Sequence, residues 1–541
     1  MTAPAAPSDA PRVGSPHVGS PHVGSPHVGS PRPPWLAAAL AAVVVLACAL
    51  ASVTPHPIGV FWDDGVYLLS AQALAAGDGY RYMYLPGTPP AIHYPPAFPL
   101  LLAALLKVTP AFPANVAILK MLNPLCLAVG VYGAVQLAVR HLGMRPVPAA
   151  LAVAVCALAA PVLVLTNVLL SESFFFAALI GALALVEHAA SRGGAREAAF
   201  AGVAVAALTL VRTVGGVLLP AAVAVLWWRH RRREAAVLAA CAIVALMPWQ
   251  VWVWQAARGF PDELRGSYGP YLEWVIGGYR REPALMWEVF ARNVADLWRA
   301  FGLIFAPRIP RVMQWGVAAV VVAALGIGLA SLVRRGSALA AFLVVYGGVV
   351  LFWPYSPERF VWAVWPLAGV VLLAGARSVG NWGVAHWPHA PRAAIAAVAL
   401  LLAGHAAYAA RGLAGGWAGS PQRAMTERLW PLVEWTVTHA GPKDVVASDA
   451  HVMIALYTGR TTMPVSMLTP AEHVRDKPLP QYARELGALA ARYHPQLLVL
   501  SRRTPELDAV PVWAQLPDAP AVTALPPIPG GGSAFALRER P

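Results

Sequence analysis

The chain has 541 residues, of which 58% are hydrophobic and only 12% are charged. A soluble domain carries roughly a quarter charged residues, so this composition excludes an ordinary soluble protein and indicates a polytopic membrane protein. The formal net charge of +14 does not indicate a nucleic-acid partner. The basic residues stand in short loops between apolar segments, where membrane orientation explains them.

The first segment, 1–34, repeats the sequence Val-Gly-Ser-Pro-His. Pro and Gly in every unit disfavour a helix, and the units contain little to bury, so we predict a disordered cytoplasmic tail. A solvated repeat is a better explanation for its histidines than a metal site. The four cysteines of the chain all lie in apolar runs and form neither a disulfide framework nor a metal-binding pattern.

Eleven apolar segments are predicted to cross the membrane as helices. They lie near 35–53, 115–139, 147–166, 173–190, 198–211, 214–228, 235–256, 312–333, 337–353, 359–376 and 393–411. The fifth and sixth are divided at Arg212, because an arginine in the middle of a bilayer is unfavourable. The predicted fold class is therefore an all-α polytopic membrane protein.

Basic clusters follow alternate predicted spans and orient the chain. All five fall on one side if the amino terminus is cytoplasmic, as the positive-inside rule requires. We therefore predict a multi-pass protein of the plasma (inner) membrane, with a membrane domain over 35–411. The first outer loop, 54–114, and all residues after 411 are placed on the extracytoplasmic side.

The last segment, 412–541, is polar enough to fold in water. Strand-like runs at 444–447 and 497–500 alternate with helical patterns at 424–438 and 482–493. Such alternation is typical of a small α/β domain, which we place outside the membrane.

Two adjacent carboxylates, Asp63 and Asp64, directly follow the first predicted span. One interpretation is that they cap the helix that begins near Tyr67. The other is functional, because carboxylates so close to a bilayer are unfavourable without a partner or a task. The pair can act with or without a divalent metal ion, and no cofactor is assigned with certainty.

Three further charged residues, Glu172, Arg212 and Arg359, are predicted at outer ends of spans. Glu172 is a candidate for proton transfer, although it also suits the first turn of a helix. The arginines suit the phosphate of a lipid-linked substrate, because a guanidinium binds phosphate through two hydrogen bonds. Each arginine alone is also explained as an interfacial anchor.

Together these motifs resemble the GT-C membrane glycosyltransferases. The resemblance rests on Asp63-Asp64-Gly65-Val66-Tyr67, His93-Tyr94-Pro95-Pro96, Ser171-Glu172, Glu358-Arg359-Phe360 and Trp365-Pro366. The nearest group is the bacterial relatives of protein O-mannosyltransferases and of the aminoarabinose lipid A transferase, which are glycosyltransferase family 39-like. The chain departs from the lipid A transferase at His93-Tyr94, where that enzyme has Glu-Lys before the paired prolines.

The resemblance implies an inverting transfer from a polyprenyl-phosphate sugar donor. It implies that an acidic residue of the first outer loop deprotonates the acceptor, and by position we assign this base to Asp63. Asp64 would orient it or share a proton or a metal ion, and Glu172 is the third catalytic candidate. The candidates for binding substrate are His93, Tyr94, Arg212, Arg359 and Tyr67.

The predicted function is therefore transfer of a hexosyl or pentosyl group to a protein, glycan or lipid acceptor on the outer face of the plasma membrane. The alternative is a transporter or flippase of lipid-linked sugars. A transporter would normally show internal symmetry, but the Asp-Asp motif is not repeated in the second half of the chain. A scaffold protein with an outer sensor domain would leave Asp63, Asp64 and Glu172 unexplained.

Overall fold

The computed structural model describes residues 34–306, 309–383 and 387–538. The predicted tail over 1–34 lies outside these ranges except for Pro34. Helices dominate the described chain as far as residue 414, because a helix satisfies its own backbone hydrogen bonds where lipid offers none. These helices are α1 (Pro34–Ala51), α2 (Asp63–Ala76), α3 (Ala97–Val108), α4 (Val116–Arg140), α5 (Pro146–Ala157), α6 (Ala160–Asn167), α7 (Glu172–Arg192), α8 (Ala195–Val211), α9 (Leu218–Trp228), α10 (Arg232–Ala257), α11 (Arg265–Tyr268), α12 (Tyr271–Arg281), α13 (Pro283–Phe305), α14 (Arg311–Arg334), α15 (Ala338–Leu351), α16 (Pro357–Val364), α17 (Pro366–Gly383) and α18 (Ala390–Ala414).

Helices occupy all eleven predicted spans, but not all of them are long enough to cross a bilayer alone. Among the described residues, α4, α7, α10, α14 and α18 pass tests of length and hydropathy, and the number rises to seven if two bent pairs each count as one span. The other four predicted spans contain shorter helices. The protein is thus a membrane protein, while the total of eleven spans and their orientation remain predictions.

Two predicted spans are sharply bent at prolines. Helices α5 and α6 meet at 64°, and α16 and α17 meet at 70°. Pro161 and Pro366 lie in the first turns of α6 and α17, where the missing N–H costs no intrahelical hydrogen bond but leaves no donor to continue the hydrogen bonding of the preceding helix. The predicted break at Arg212 is confirmed, because α8 ends at Val211 and a 3₁₀ turn begins at Thr213.

The carboxyl-terminal part contains the predicted mixture of helices and strands. Its elements are α19 (Ser420–His439), β1 (Val446–Ser448), α20 (His451–Thr458), β2 (Thr462–Met463), α21 (Leu479–Tyr493), β3 (Leu497–Leu500), α22 (Pro505–Trp513), β4 (Ala521–Ala524) and β5 (Ser533–Arg538). They form one sheet in the order β2-β1-β3-β5-β4. The first three strands are parallel, and β5 is antiparallel to both neighbours. The sequence predicted β1 and β3 but missed the other three.

The segment between α1 and α2 packs directly against α20. The Ile58 amide donates to the Tyr457 hydroxyl over 3.0 Å. A Cβ atom added to Gly65 would lie 2.5 Å from a methyl group of Val452, so the first turn of α2 approaches α20 as closely as a glycine permits. This contact fixes the start of α2, which carries the paired aspartates.

Candidate active site

Helix α2 begins at a strained residue. Trp62, the residue before it, has φ 63°, a left-handed conformation that a bulky side chain rarely adopts. Such strain costs about 1–3 kcal/mol and is kept only where surrounding contacts hold it. Here the Trp62 ring packs edge-on against His451, with ring centroids 4.4 Å apart. Asp63 and Asp64 therefore occupy the first turn of α2 and are not its caps.

Asp63 joins the first loop to the last predicted outer loop. One carboxylate oxygen accepts a hydrogen bond from the Tyr94 hydroxyl, and the other lies 2.5 Å from Nη1 of Arg359. Arg359 is in the first turn of α16, almost 300 residues further along the chain. The paired interaction of carboxylate and guanidinium is charge-assisted and therefore strongly oriented.

Glu172 joins both arginines. Its Oε1 accepts from Nε of Arg359 and lies 2.7 Å from Nη1 of Arg212. The Glu172 side chain is only 1% exposed, so these cations balance a charge that could not remain buried alone. Asp63, Arg359, Glu172 and Arg212 therefore form one chain of alternating charges, which we call the charged cluster.

We expect Glu172→Gln to destabilise the protein, because Arg212 would lose its carboxylate while remaining largely buried. Removing one member of a buried ion pair lowers the free energy of unfolding by about 3–5 kcal/mol. Thermal unfolding in detergent measures this as a lower apparent midpoint. Glu273→Gln is the control, because Glu273 pairs with Arg265 in an exposed bridge worth little. Equal midpoints for the two variants would contradict the structural importance of Glu172.

Two polar atoms of the charged cluster are buried without a hydrogen-bond partner. They are Oε2 of Glu172 and Nη2 of Arg359, two of the few such atoms among the described residues. Buried polar groups are normally paired. Unpaired atoms on a carboxylate and a guanidinium are therefore free to donate to, or accept from, a bound ligand.

A cavity of about 370 Å³ adjoins the cluster. Its walls include Asp63, Arg212 and Arg359 together with Tyr67 and Tyr94. Four more rings complete the walls, namely Phe360 of the Glu358-Arg359-Phe360 motif and three that no motif included, Tyr271, Trp353 and Tyr355. Charged groups beside aromatic faces suit a ligand with an anionic centre and a sugar ring.

Ser171 also contacts residues of the charged cluster, although no role of its own was predicted for it from the sequence. Its Oγ lies 3.1 Å from the Tyr67 hydroxyl and accepts a hydrogen bond from Nη1 of Arg212, also over 3.1 Å. Ser171 therefore links Tyr67 of α2 to Arg212, which lies between α8 and the following turn. Its place beside Glu172 was a signal in the sequence, whereas nothing in the sequence marked Tyr271.

Asp64 is buried away from this cavity. Its carboxylate accepts hydrogen bonds from the backbone amides of Gly59, over 2.7 Å, and Phe61, over 3.0 Å. Burial raises the pKa of Asp64 to about 6, although these two bonds act in the opposite direction. These contacts are those of a residue that shapes the turn before α2.

His93 also lies outside the cavity walls. Its Nδ1 is 2.7 Å from the Gly269 carbonyl, and its ring packs against the tilted ring of Tyr271, with 3.7 Å between the centroids. Burial lowers the pKa of His93 to about 4, so the imidazole is neutral at physiological pH. It therefore cannot supply the positive charge expected of a phosphate-binding group, but it does hold Tyr271 against the cavity.

This burial predicts a pH dependence of stability. Because the pKa of His93 is lowered from 6.5 to about 4, its contribution is fully present above pH 6.5 and is lost as the pH falls toward 4. At pH 5 the loss is about 2 kcal/mol. We expect His93→Asn, which keeps a donor for Gly269, to lose less stability than wild type between pH 7 and pH 5. The exposed control His439→Asn should follow wild type, and identical pH profiles for all three proteins would contradict this prediction.

The donor groups present do not fit a divalent metal ion. Among the residues that the structure describes, no group of three or more His, Cys, Asp or Glu side chains could hold one. Asp63 and Glu172 each contact a guanidinium, and Asp64 faces backbone amides. The charged cluster is therefore interpreted without a metal ion.

Comparison with solved structures identifies the fold. The chain is similar to the Archaeoglobus fulgidus oligosaccharyltransferase in complex with Zn and sulfate, with a TM-score of 0.53, 14% identity, and coverage of 92% of this chain and 73% of that one. The same enzyme tethered to an acceptor peptide gives a TM-score of 0.52 at 11% identity, covering 93% and 74%. ArnT from Cupriavidus metallidurans bound to undecaprenyl phosphate gives 0.48 at 15% identity, covering 93% and 98%.

No protein-family model matches the chain, and no curated protein sequence matches it. Identities this low establish the fold alone. With 92% of this chain covered, the match extends well beyond any single part of the structure. The chain therefore has the fold of the GT-C membrane glycosyltransferases, as its sequence motifs predict.

Proposed function

We propose that the protein is a glycosyltransferase that moves a sugar from a polyprenyl-phosphate donor to a hydroxyl group at the outer face of the plasma membrane. The observation that carries this proposal is the position of Arg359. Its guanidinium contacts both Asp63 and Glu172, and its remaining nitrogen, Nη2, has no partner. The shared fold with an oligosaccharyltransferase supports transfer of a sugar.

In this proposal, Arg359 and Arg212 bind the donor phosphate beside the cavity. The phosphate competes with Asp63 for Nη1 of Arg359, and this competition releases the carboxylate. Glu172 holds both guanidinium groups in place. Aromatic rings of the cavity wall, among them Tyr67 and Tyr94, enclose the sugar and exclude water from the reacting bond.

Asp63 then acts as the general base. The acceptor oxygen forms a bond to the anomeric carbon of the sugar, and its proton passes to Asp63. The bond between that carbon and the phosphate oxygen breaks, and the electron pair leaves with the polyprenyl phosphate. Before transfer, the two arginines balance Asp63 and Glu172. After proton transfer the cluster carries a net charge of +1, which stabilises the developing phosphate dianion.

Asp64 and His93 serve as supporting residues in this scheme. Asp64 fixes the turn that precedes Asp63, and His93 supports Tyr271. Neither residue needs to touch the substrate. The acceptor is a hydroxyl group of a protein, a glycan or a lipid.

The experiment that tests the proposal uses purified full-length protein in detergent with a panel of radiolabelled polyprenyl-phosphate sugars. We expect wild type to transfer or hydrolyse the sugar of at least one donor. Binding of a donor without any cleavage, unchanged in variants of the charged cluster, would instead favour a transporter or flippase of lipid-linked sugars. No binding of any donor would reject both functions.

A further inference from the structure

The carboxyl-terminal sheet has a topological switch point. Strand β1 lies between β2 and β3, and all three are parallel. From β1 the chain continues to β2 on one side and then crosses over to β3 on the other side. In open α/β sheets, ligands bind at the carboxyl ends of the strands at such a point. Here Asp449 directly follows β1, and Ser501 directly follows β3.

A cavity of about 330 Å³ lies at this edge. Its polar wall comes from the carboxyl-terminal part and includes Arg428, Asp449 and Glu506. Its opposite wall comes from the first outer loop and includes Phe61 and Trp62. Trp62, which directly precedes the proposed catalytic base, therefore lines this cavity.

The polar wall keeps hydrogen-bonding capacity for a ligand. Nε of Arg428 donates to Ser501 over 2.9 Å, but its Nη2 is 3.6 Å from Asp449, beyond hydrogen-bond distance. Glu506 accepts one hydrogen bond through Oε1, from Ser466. A lining with one guanidinium and two carboxylates is a poor site for a phosphate, because its net charge is negative. It suits hydroxyl groups, which both accept from a guanidinium and donate to a carboxylate.

The cavity beside Arg428 is a neighbour of the charged cluster through shared lining residues. Phe61 lines it and also lines a cavity of about 540 Å³ whose wall includes Glu358 and Arg359. Arg359 in turn borders the cavity that contains Asp63. A glycan long enough to extend past Phe61 would therefore approach the proposed catalytic residues.

We propose that the cavity between Arg428, Glu506 and Trp62 binds a segment of a neutral glycan, and that this glycan carries the acceptor hydroxyl. Carboxylate and guanidinium groups pair with the sugar hydroxyls, and the two aromatic side chains cover the apolar faces of the rings. The assignment of the glycan as acceptor rests on the proposed transferase function. Binding itself does not, so the two can be tested separately.

The test measures binding without a donor. Full-length protein in detergent is titrated with tetrasaccharides of mannose, galactose and arabinose, and contact is followed by saturation-transfer NMR of the sugar protons. We expect saturable binding of at least one tetrasaccharide. Arg428→Gln and Glu506→Gln should each weaken it about tenfold, since each removes charge-assisted hydrogen bonds. The exposed control Glu434→Gln, on the same helix as Arg428, should bind like wild type.

A second variant guards against loss of folding. Met425→Trp keeps every charge but fills the cavity, which Met425 lines, and it should abolish binding while the unfolding midpoint stays within a few degrees of wild type. The proposal would be overturned if none of the three tetrasaccharides bound wild type saturably. It would also be overturned if wild type and Met425→Trp bound a tetrasaccharide equally well. Glycan binding without sugar transfer would reject only the transferase function, whereas transfer without glycan binding would reject only this site.

Discussion

Replacing Asp63 by asparagine is expected to lower the rate constant of sugar transfer by about 100-fold or more, because general base catalysis contributes 10²–10⁴-fold. Asparagine has the same shape and still accepts a hydrogen bond from Tyr94, so the cavity should persist. It no longer competes with phosphate for Arg359, and donor affinity should therefore be unchanged or tighter. Steady-state kinetics would show this as a fall in kcat without a rise in KM.

Asp78→Asn is the matched control for this variant. Asp78 lies in the same outer loop, just after α2, but it is exposed and does not line the cavity. It should transfer sugar at the wild-type rate. If Asp63→Asn retained more than a third of wild-type activity while Asp78→Asn behaved normally, Asp63 would not be the base.

Replacing Arg359 by lysine is expected to lower kcat/KM by about 10²–10³-fold. Lysine keeps the positive charge beside buried Glu172, so the fold should survive. An ammonium group lacks the planar fork that lets one guanidinium contact Asp63 and Glu172 at once and present Nη2 to a phosphate. Both donor affinity and kcat should fall, in contrast with the effect of Asp63→Asn.

Arg299→Lys tests whether any loss is specific to the charged cluster. Arg299 is a half-exposed residue of α13 that pairs with Asp296 within its own helix. Such bridges contribute little, and the variant should keep full activity. Equal donor affinity in wild type and Arg359→Lys, measured by equilibrium binding in detergent, would mean that the phosphate binds elsewhere.

Much of the membrane fold could be predicted because its signal is local. A long apolar run predicts a helix without knowledge of its neighbours, and every predicted span indeed contains helix. Helix α13 was not predicted, because its apolar residues are interrupted by charges such as Arg292 and Asp296. The bends before α6 and α17 were also missed, although Pro161 and Pro366 mark both places.

The strands of the carboxyl-terminal sheet could be predicted only in part from their sequence patterns. Strands β1 and β3 are buried apolar runs and could be read directly. Strand β2 has only two residues, and β4 is half exposed, so neither has a clear pattern. The pairing of β3 with β5 joins residues more than thirty positions apart, which no local rule predicts.

The sequence predicts that the charged residues share one face of the membrane, but it could not pair them. Asp63, Glu172 and Arg359 each lie in the first turn of a helix, α2, α7 and α16 respectively. They meet because the packing of the helices brings these three first turns together. The opposite behaviour of Asp63 and Asp64 could not be predicted either. Successive residues of a helix point about 100° apart, so one carboxylate faces the cavity and the other faces the turn over residues 59–61.

The central claim is that Arg359 exchanges Asp63 for the donor phosphate. A cryo-electron microscopy structure of the full-length protein with a polyprenyl phosphate tests it most directly. We expect phosphate oxygens within about 3 Å of the Arg359 and Arg212 guanidinium groups, and Asp63 no longer paired with Arg359. A phosphate bound elsewhere, with the bridge from Asp63 through Arg359 to Glu172 intact, would contradict the proposal.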